Sequence, residues 1–98
     1  MRDLVNMIVL NGNDNVGIAL RGISAGEAAV SSDGRRIDCF EEIPQGHKLA
    51  LMPIAEGAKL IRFGVPVGIA KVDIRPGALA HVHNVRSQYL DNDEDHYE

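Results

Sequence analysis

Two imidazoles one residue apart, His81 and His83, followed at once by Asn84, are the residues best suited by type and spacing to carry chemistry. On an extended strand, residues two apart project to the same side, so His81 and His83 would share a face while Val82 turns to the other. Neutral imidazoles suit iron, zinc or manganese, so the pair could begin a metal site. A catalytic metal centre takes three or more protein ligands with one position open, and no third ligand stands close in sequence. A pair of exposed or hydrogen-bonded strand histidines accounts equally for the motif. A second candidate is Ile43-Pro44-Gln45-Gly46-His47-Lys48, a tight turn that presents an imidazole and an ammonium at the start of a strand. Lys48 could hold a carboxylate, and His47 could donate a hydrogen bond or a proton. Neighbouring strand residues face opposite ways, so at most one of the two faces a given site; a solvated sheet edge is the alternative. In Asp14-Asn15-Val16 an Asx-type turn explains the polar pair. There is no glycine-rich phosphate loop before a helix, no Cys-x-x-Cys and no serine in a nucleophile-elbow context. The sequence lacks a self-sufficient catalytic apparatus.

The elements that must position these groups read as short strands and turns. Ile-x-x-Gly recurs at spacings of 20, 11 and 20, from Ile23 to Gly26, Ile43 to Gly46, Ile54 to Gly57 and Ile74 to Gly77. Each combines a β-branched residue suited to a pleated, half-buried surface with a glycine free to take positive φ. The spacing predicts four turns at strand entrances and two similar halves, unless the recurrence is a coincidence of composition. Strand character runs over Met7 to Leu10, Val16 to Leu20, Lys48 to Met52, Lys59 to Phe63, Val65 to Val72 and Ala80 to Val85. Ser24 to Val30 carries Ser24 and Glu27 at capping-box spacing, but Gly26 limits it to one short helical turn. The segments Asn11 to Asn15 and Ser31 to Gly34 are loops or hairpin turns. In Gly64-Val65-Pro66-Val67-Gly68, the proline removes a ladder donor and belongs at an edge or a bend, while the glycines allow close backbone approach. Many short strands with frequent turns indicate an all-β fold with little helix, a small barrel or roll.

A chain of 98 residues holds one modest core, here assigned to residues 1–90, with an acidic flexible tail at 91–98. That tail holds Asp91, Asp93, Glu94, Asp95 and Glu98 and no base, so the net charge of -4 belongs to it and the body is near neutral. Without a basic face interleaved with aromatics, nucleic acid is not an expected partner. No apolar run reaches the roughly 20 residues of a membrane span, and the amino terminus has no signal-peptide pattern; the expected location is cytoplasmic. Cys39, the single cysteine, fits a reducing compartment and reads as a small semi-buried residue rather than a nucleophile.

Taken in order, Asp14-Asn15-Val16, Ile43-Pro44-x-Gly46-His47-Lys48-x-Ala50-Leu51, Ile54-x-x-Gly57, Ile61-Arg62-Phe63-Gly64-x-Pro66-x-Gly68, Asp73-Ile74-x-x-Gly77 and His81-x-His83-Asn84 resemble the SAF domain of the altronate/galactarate dehydratase family. The resemblance spans roughly residues 8 to 84 and implies a small β-clip fold. It implies a module that is either fused to a large catalytic domain or a separate small subunit, as in the related sulfolactate sulfo-lyases; the end of the chain soon after Asn84 suggests the separate form. The activity implied is loss of water from a sugar acid to give a 2-keto-3-deoxy acid, with a divalent metal, commonly iron, bound mainly by the large catalytic subunit. By position, His81 and His83 match the family's His-x-His motif as catalytic residues or metal ligands. His47 and Lys48 match its Gly-His-Lys turn and, with Asn84, are the expected substrate contacts. The alternatives are a sulfolactate sulfo-lyase small subunit and a non-catalytic binding module, and self-association of the isolated chain is a further option.

Overall fold

In a computed structural model, the described residues are 4–81 and 83–86. Val82, the first three residues and the acidic tail at 91–98 lie outside them. The described chain is all-β: β1 (Met7–Ile8), β2 (Val16–Ala19), β3 (Ala28–Val30), β4 (Arg36–Asp38), β5 (Lys48–Ala50), β6 (Lys59–Arg62), β7 (Val65–Ala70), β8 (Leu79–Ala80) and β9 (Val85–Arg86). Three antiparallel sheets result, ordered β1-β2-β5-β8, β3-β4 and β6-β7-β9.

The Ile-x-x-Gly segments that begin at Ile23, Ile43, Ile54 and Ile74 form four turns. In each, the residue after glycine donates its N–H to the residue after isoleucine: Glu27 to Ser24, His47 to Pro44, Ala58 to Ala55 and Ala78 to Arg75. Gly26, Gly46, Gly57 and Gly77 all have φ between 83° and 90°, the positive φ that the third position of a type II turn requires. A strand follows each turn. The isoleucines pair as isolated bridges, Ile23 with Ile43 and Ile54 with Ile74, so each bridge closes the base of one hairpin. The second half repeats the first 31 positions on. Gly26 donates to Cys39 O where Gly57 donates to Ala70 O, and Gly46 donates to Ala19 O where Gly77 donates to Ala50 O. The regularity read from the isoleucines is thus an internal duplication of structure.

Two cores correspond to the two halves. One contains Met7, Ala19, Ile23, Ala29, Cys39, Ile43, Leu49 and Leu51; the other contains Val16, Ala50, Ile54, Leu60, Ala70, Ile74, Ala78 and Ala80. Leu49 and Ala50 are neighbours on β5 and enter opposite cores, as strand alternation requires. Cys39 is buried, and burial pushes its thiol pKa up, in keeping with a packing role.

Several local expectations change. Ser24 to Val30 is a turn followed by β3, without a helical turn. The Glu27 carboxylate does accept the Ser24 N–H at 3.0 Å, as in a capping box, but positive φ at Gly26 sends the chain into a strand. Ala80 to Val85 is not one strand either. After β8 the chain reverses, with the N–H groups of Asn84 and Val85 both donating to His81 O, before β9 begins. Pro66 lies in β7 opposite Ile61, beside a register shift between Leu60 and Ile61, as a proline within a strand favours.

Candidate functional site

The turn from Pro44 to His47 feeds directly into β5 and so fixes His47 and Lys48 at a strand entrance. Strand β8 lies antiparallel to β5 with Lys48 opposite Ala80 and Leu49 opposite Leu79. Continued one step, this register sets His47 against His81, and their ring centroids are 4.8 Å apart with an interplanar angle of 31°. The imidazole that His81 meets is therefore His47, from 34 residues upstream, rather than His83 on a common strand face. The alternation argument for His81 and His83 fails because both lie in the reversal after β8. Both are exposed, and His83 is still close enough for its charge to act on His81.

Asn84 builds that reversal. It is 7% exposed, its side-chain oxygen accepts the His81 N–H at 2.9 Å, and its amide donates to Leu79 O at 2.8 Å. Its side chain is committed to holding His81 in place, a positioning task for the residue expected to contact substrate. On the other side of the site, His47 Nδ1 lies 3.3 Å from Gln45 O. The tautomer that donates there leaves Nε2 with its lone pair.

The electrostatics are one-sided. Removal from solvent lowers the His81 pKa, and the charges of His47, Lys48 and His83 lower it further. Burial lowers the pKa of the half-buried Lys48, and the Arg62 guanidinium adds to the effect. Among the described residues, no carboxylate figures among the groups acting on either residue. Basic groups gathered at one place attract an anion and favour the neutral form of His81. A divalent metal would find adjacent imidazoles here, but no group of three or more His, Cys, Asp or Glu side chains capable of holding one occurs among the described residues. These donors do not make up a metal centre by themselves.

Other polar residues that look similar in sequence act in the scaffold. Asn15 is not part of a local Asx turn: its amide donates to Lys59 O at 2.9 Å, its side-chain oxygen accepts the Ile61 N–H at 2.7 Å, and its own N–H donates to Ile61 O. Asn6 makes the same three bonds to Ala28 and Val30 in the other half. The fully buried carboxylate of Asp14 accepts from Gly64 N–H at 2.8 Å and Asn11 N–H at 3.3 Å. The sequence reading passed over Asn6 and Arg62; the place directly before a strand, shared with Asn15, was the local signal for Asn6, and the position of Arg62 within the Ile61-to-Gly68 motif was the one for Arg62.

Known proteins with similar sequences bear on this site. Altronate dehydratase of Escherichia coli (strain K12) is 37% identical over 91 residues, covering 93% of this chain and 18% of that protein. Altronate dehydratase of Bacillus subtilis (strain 168) is 37% identical over 86 residues, covering 88% and 17%. The chain thus spans less than a fifth of either protein's length. The (2R)-sulfolactate sulfo-lyase subunit alpha of Chromohalobacter salexigens is 34% identical over 90 residues, covering 86% of this chain and 96% of that one. Residues 5–88 match the altronate/galactarate dehydratase SAF domain, and the chain belongs to that family.

Proposed function

We propose that this chain is the small subunit of a sugar-acid dehydratase of the altronate/galactarate type and adds the His47–Lys48–His81 cluster to a site shared with a large catalytic subunit. The observation that carries this reading is the approach of His47 to His81 at 4.8 Å beside Lys48, where among the described residues the charges of His47, Lys48 and His83 act on His81. Loss of water next to a carboxylate requires an α-proton to leave and a proton to reach the departing hydroxyl. Lys48 receives the carboxylate. Bound negative charge offsets the repulsion from His47, Lys48 and His83, so the His81 pKa rises when substrate arrives; the imidazole then takes a proton from solvent and donates it to the hydroxyl as the carbon–oxygen bond breaks, releasing water and leaving His81 neutral. Asn84 holds the His81 backbone for that transfer. The α-proton base and the divalent metal, iron in this reading, belong mainly to the large subunit.

Keto-acid formation by the two-subunit complex tests the proposal. The small chain alone is expected to form none, and His81→Ala in the assembled complex is expected to lower turnover by about 10²-fold without loss of assembly. Unchanged turnover in His81→Ala would refute the role assigned to His81. The coverage of 96% of a sulfo-lyase alpha subunit favours a second reading, in which the same cluster serves elimination of a sulfonate. Release of sulfite from sulfolactate, with no dehydration of sugar acids, would select it.

A further inference from the structure

We propose that the outer face at the base of the second hairpin, around the Ile54–Ile74 bridge, seats the same face of a second copy of this chain, so that two copies pair about a two-fold axis at an interface independent of the role proposed for His81.

The duplication allows the two hairpin bases to be compared position by position, 31 residues apart. Each has an isolated bridge between two buried isoleucines, and a turn follows each isoleucine. Their outer faces differ. The first base presents Arg21, Gly22, Ser24 and Gln45, all exposed, and Arg21 pairs with Glu27 at 2.6 Å. At the same positions the second base presents Met52, Pro53, Ala55 and Pro76, also exposed, with Ala58 in place of Glu27. An ion-paired, polar surface in one half is an apolar surface in the other. Pro53, Ala55 and Pro76 line an open groove of about 400 Å³, together with Asp73 and Arg75. Three large apolar residues adjoin it. Met52, 45% exposed, precedes Pro53; Val72, 49% exposed, precedes Asp73; and Phe40, 44% exposed, lies against Arg75, whose Cζ is 4.1 Å from the ring centroid. Glu41 stands in the first half where Val72 stands in the second. Since the backbone is the same, solvation accounts for the polar face and contact with another protein surface for the apolar one.

Charge and position identify the occupant. Asp73 and Arg75, of opposite sign, flank Ile74. In a two-fold pairing, a residue that meets a second residue of the other copy is met by it in return. An axis at Ile74 therefore sets each Asp73 against the Arg75 of the other copy, closing two ion pairs with no charge left over. The Phe40 ring takes the flat face of the guanidinium and leaves its N–H edges for a carboxylate. Asp73 Oδ1 accepts the Glu56 N–H at 2.8 Å, which leaves Oδ2 for the pair. The face also lies at the far end of the antiparallel β5–β8 pair from His47 and His81: those histidines stand at one end, and the turn from Arg75 to Ala78 at the other. A large subunit seated on the histidine cluster leaves this face to a second copy.

Sedimentation equilibrium of the 98-residue chain tests the pairing, with circular dichroism to check that each variant is folded. The chain is expected to dimerise with a Kd of about 1 to 100 μM. Met52→Arg and Val72→Glu, which install the residues of the first half at exposed positions, should each raise that Kd by at least about tenfold. Ser24→Arg, on the equivalent face of the first half, should leave it unchanged. Asp73→Arg and Arg75→Asp should each weaken the dimer, and the chain carrying both should regain it, because each copy then offers the complementary order. If either charge variant fails to fold, Met52→Arg and Val72→Glu carry the test. A dimer whose Kd is unchanged in both of those variants overturns the inference, as does a chain that stays monomeric up to about 1 mM. A folded double charge variant that stays as weak as the single ones overturns the two-fold arrangement. A monomeric chain whose Met52→Arg variant no longer assembles with the large subunit overturns it as well and gives the face to that subunit.

Discussion

At the scale of single residues, His81 shows what a motif can and cannot disclose. Its chemical type and the neighbouring His83 were plain in the sequence, but its partner is His47, set against it by the register of β5 and β8. That pairing depends on the sheet, and no local spacing encodes it. Asn84 was visible too, yet its task could be read only once both ends of its amide had found main-chain partners. The lowered His81 pKa has a consequence for stability. The folded-state value lies below the ordinary 6.5, so between the two values the unfolded chain binds more protons. This contribution is intact above about pH 6.5 and is lost as pH falls through that window towards the folded-state pKa. Urea denaturation at a series of pH values should therefore give a midpoint that falls less steeply below pH 6.5 in His81→Gln than in the parent chain. Parallel curves would show that His81 does not titrate against its neighbours as described.

At the scale of elements, the turns were the most legible feature because glycine with a preceding isoleucine is a local signature, and all four glycines take the left-handed conformation. The β3–β4 hairpin was half legible: its turn at Ser31 to Gly34 was recognised, whereas its strands of three residues are too short to show alternation. The Asn15 clamp was misread as a local turn because a bond from Asn15 to Ile61 looks no different, in sequence, from an Asx turn. The turn glycines differ in a way that sequence could not show. A Cβ at Gly57 meets nothing within 4 Å, whereas one at Gly77 would lie 2.1 Å from Asp38 O. Gly57→Ala should therefore cost only the conformational penalty, about 1 to 2 kcal/mol. Gly77→Ala should cost more than about 3 kcal/mol, since backbone must also move. Equilibrium denaturation of the two variants distinguishes them, and equal losses would contradict the close packing of Gly77 against the first hairpin.

At the scale of the whole molecule, the duplication puts two cores side by side and leaves the site asymmetric. The positions in the second half that correspond to His47 and Lys48 are Ala78 and Leu79, which belong to the packing. The sequence showed the two halves through its isoleucine spacing; it did not show that β5 completes the first half and opens the second. Because Leu49 and Ala50 enter different cores from one strand, β5 cannot leave its place without opening both cores. In hydrogen exchange, the β5 amides should accordingly be among the slowest in the chain, released only by global unfolding, while the amides of the β3–β4 hairpin exchange through smaller openings. Since Lys48 lies on β5 and His47 precedes it, the groups proposed to meet substrate are anchored to the part of the protein expected to open last. A denaturant titration of the chain should then show the hairpin tips loosening well before the His47–His81 contact is lost, so that local breathing at the periphery leaves the spacing of the two imidazoles undisturbed.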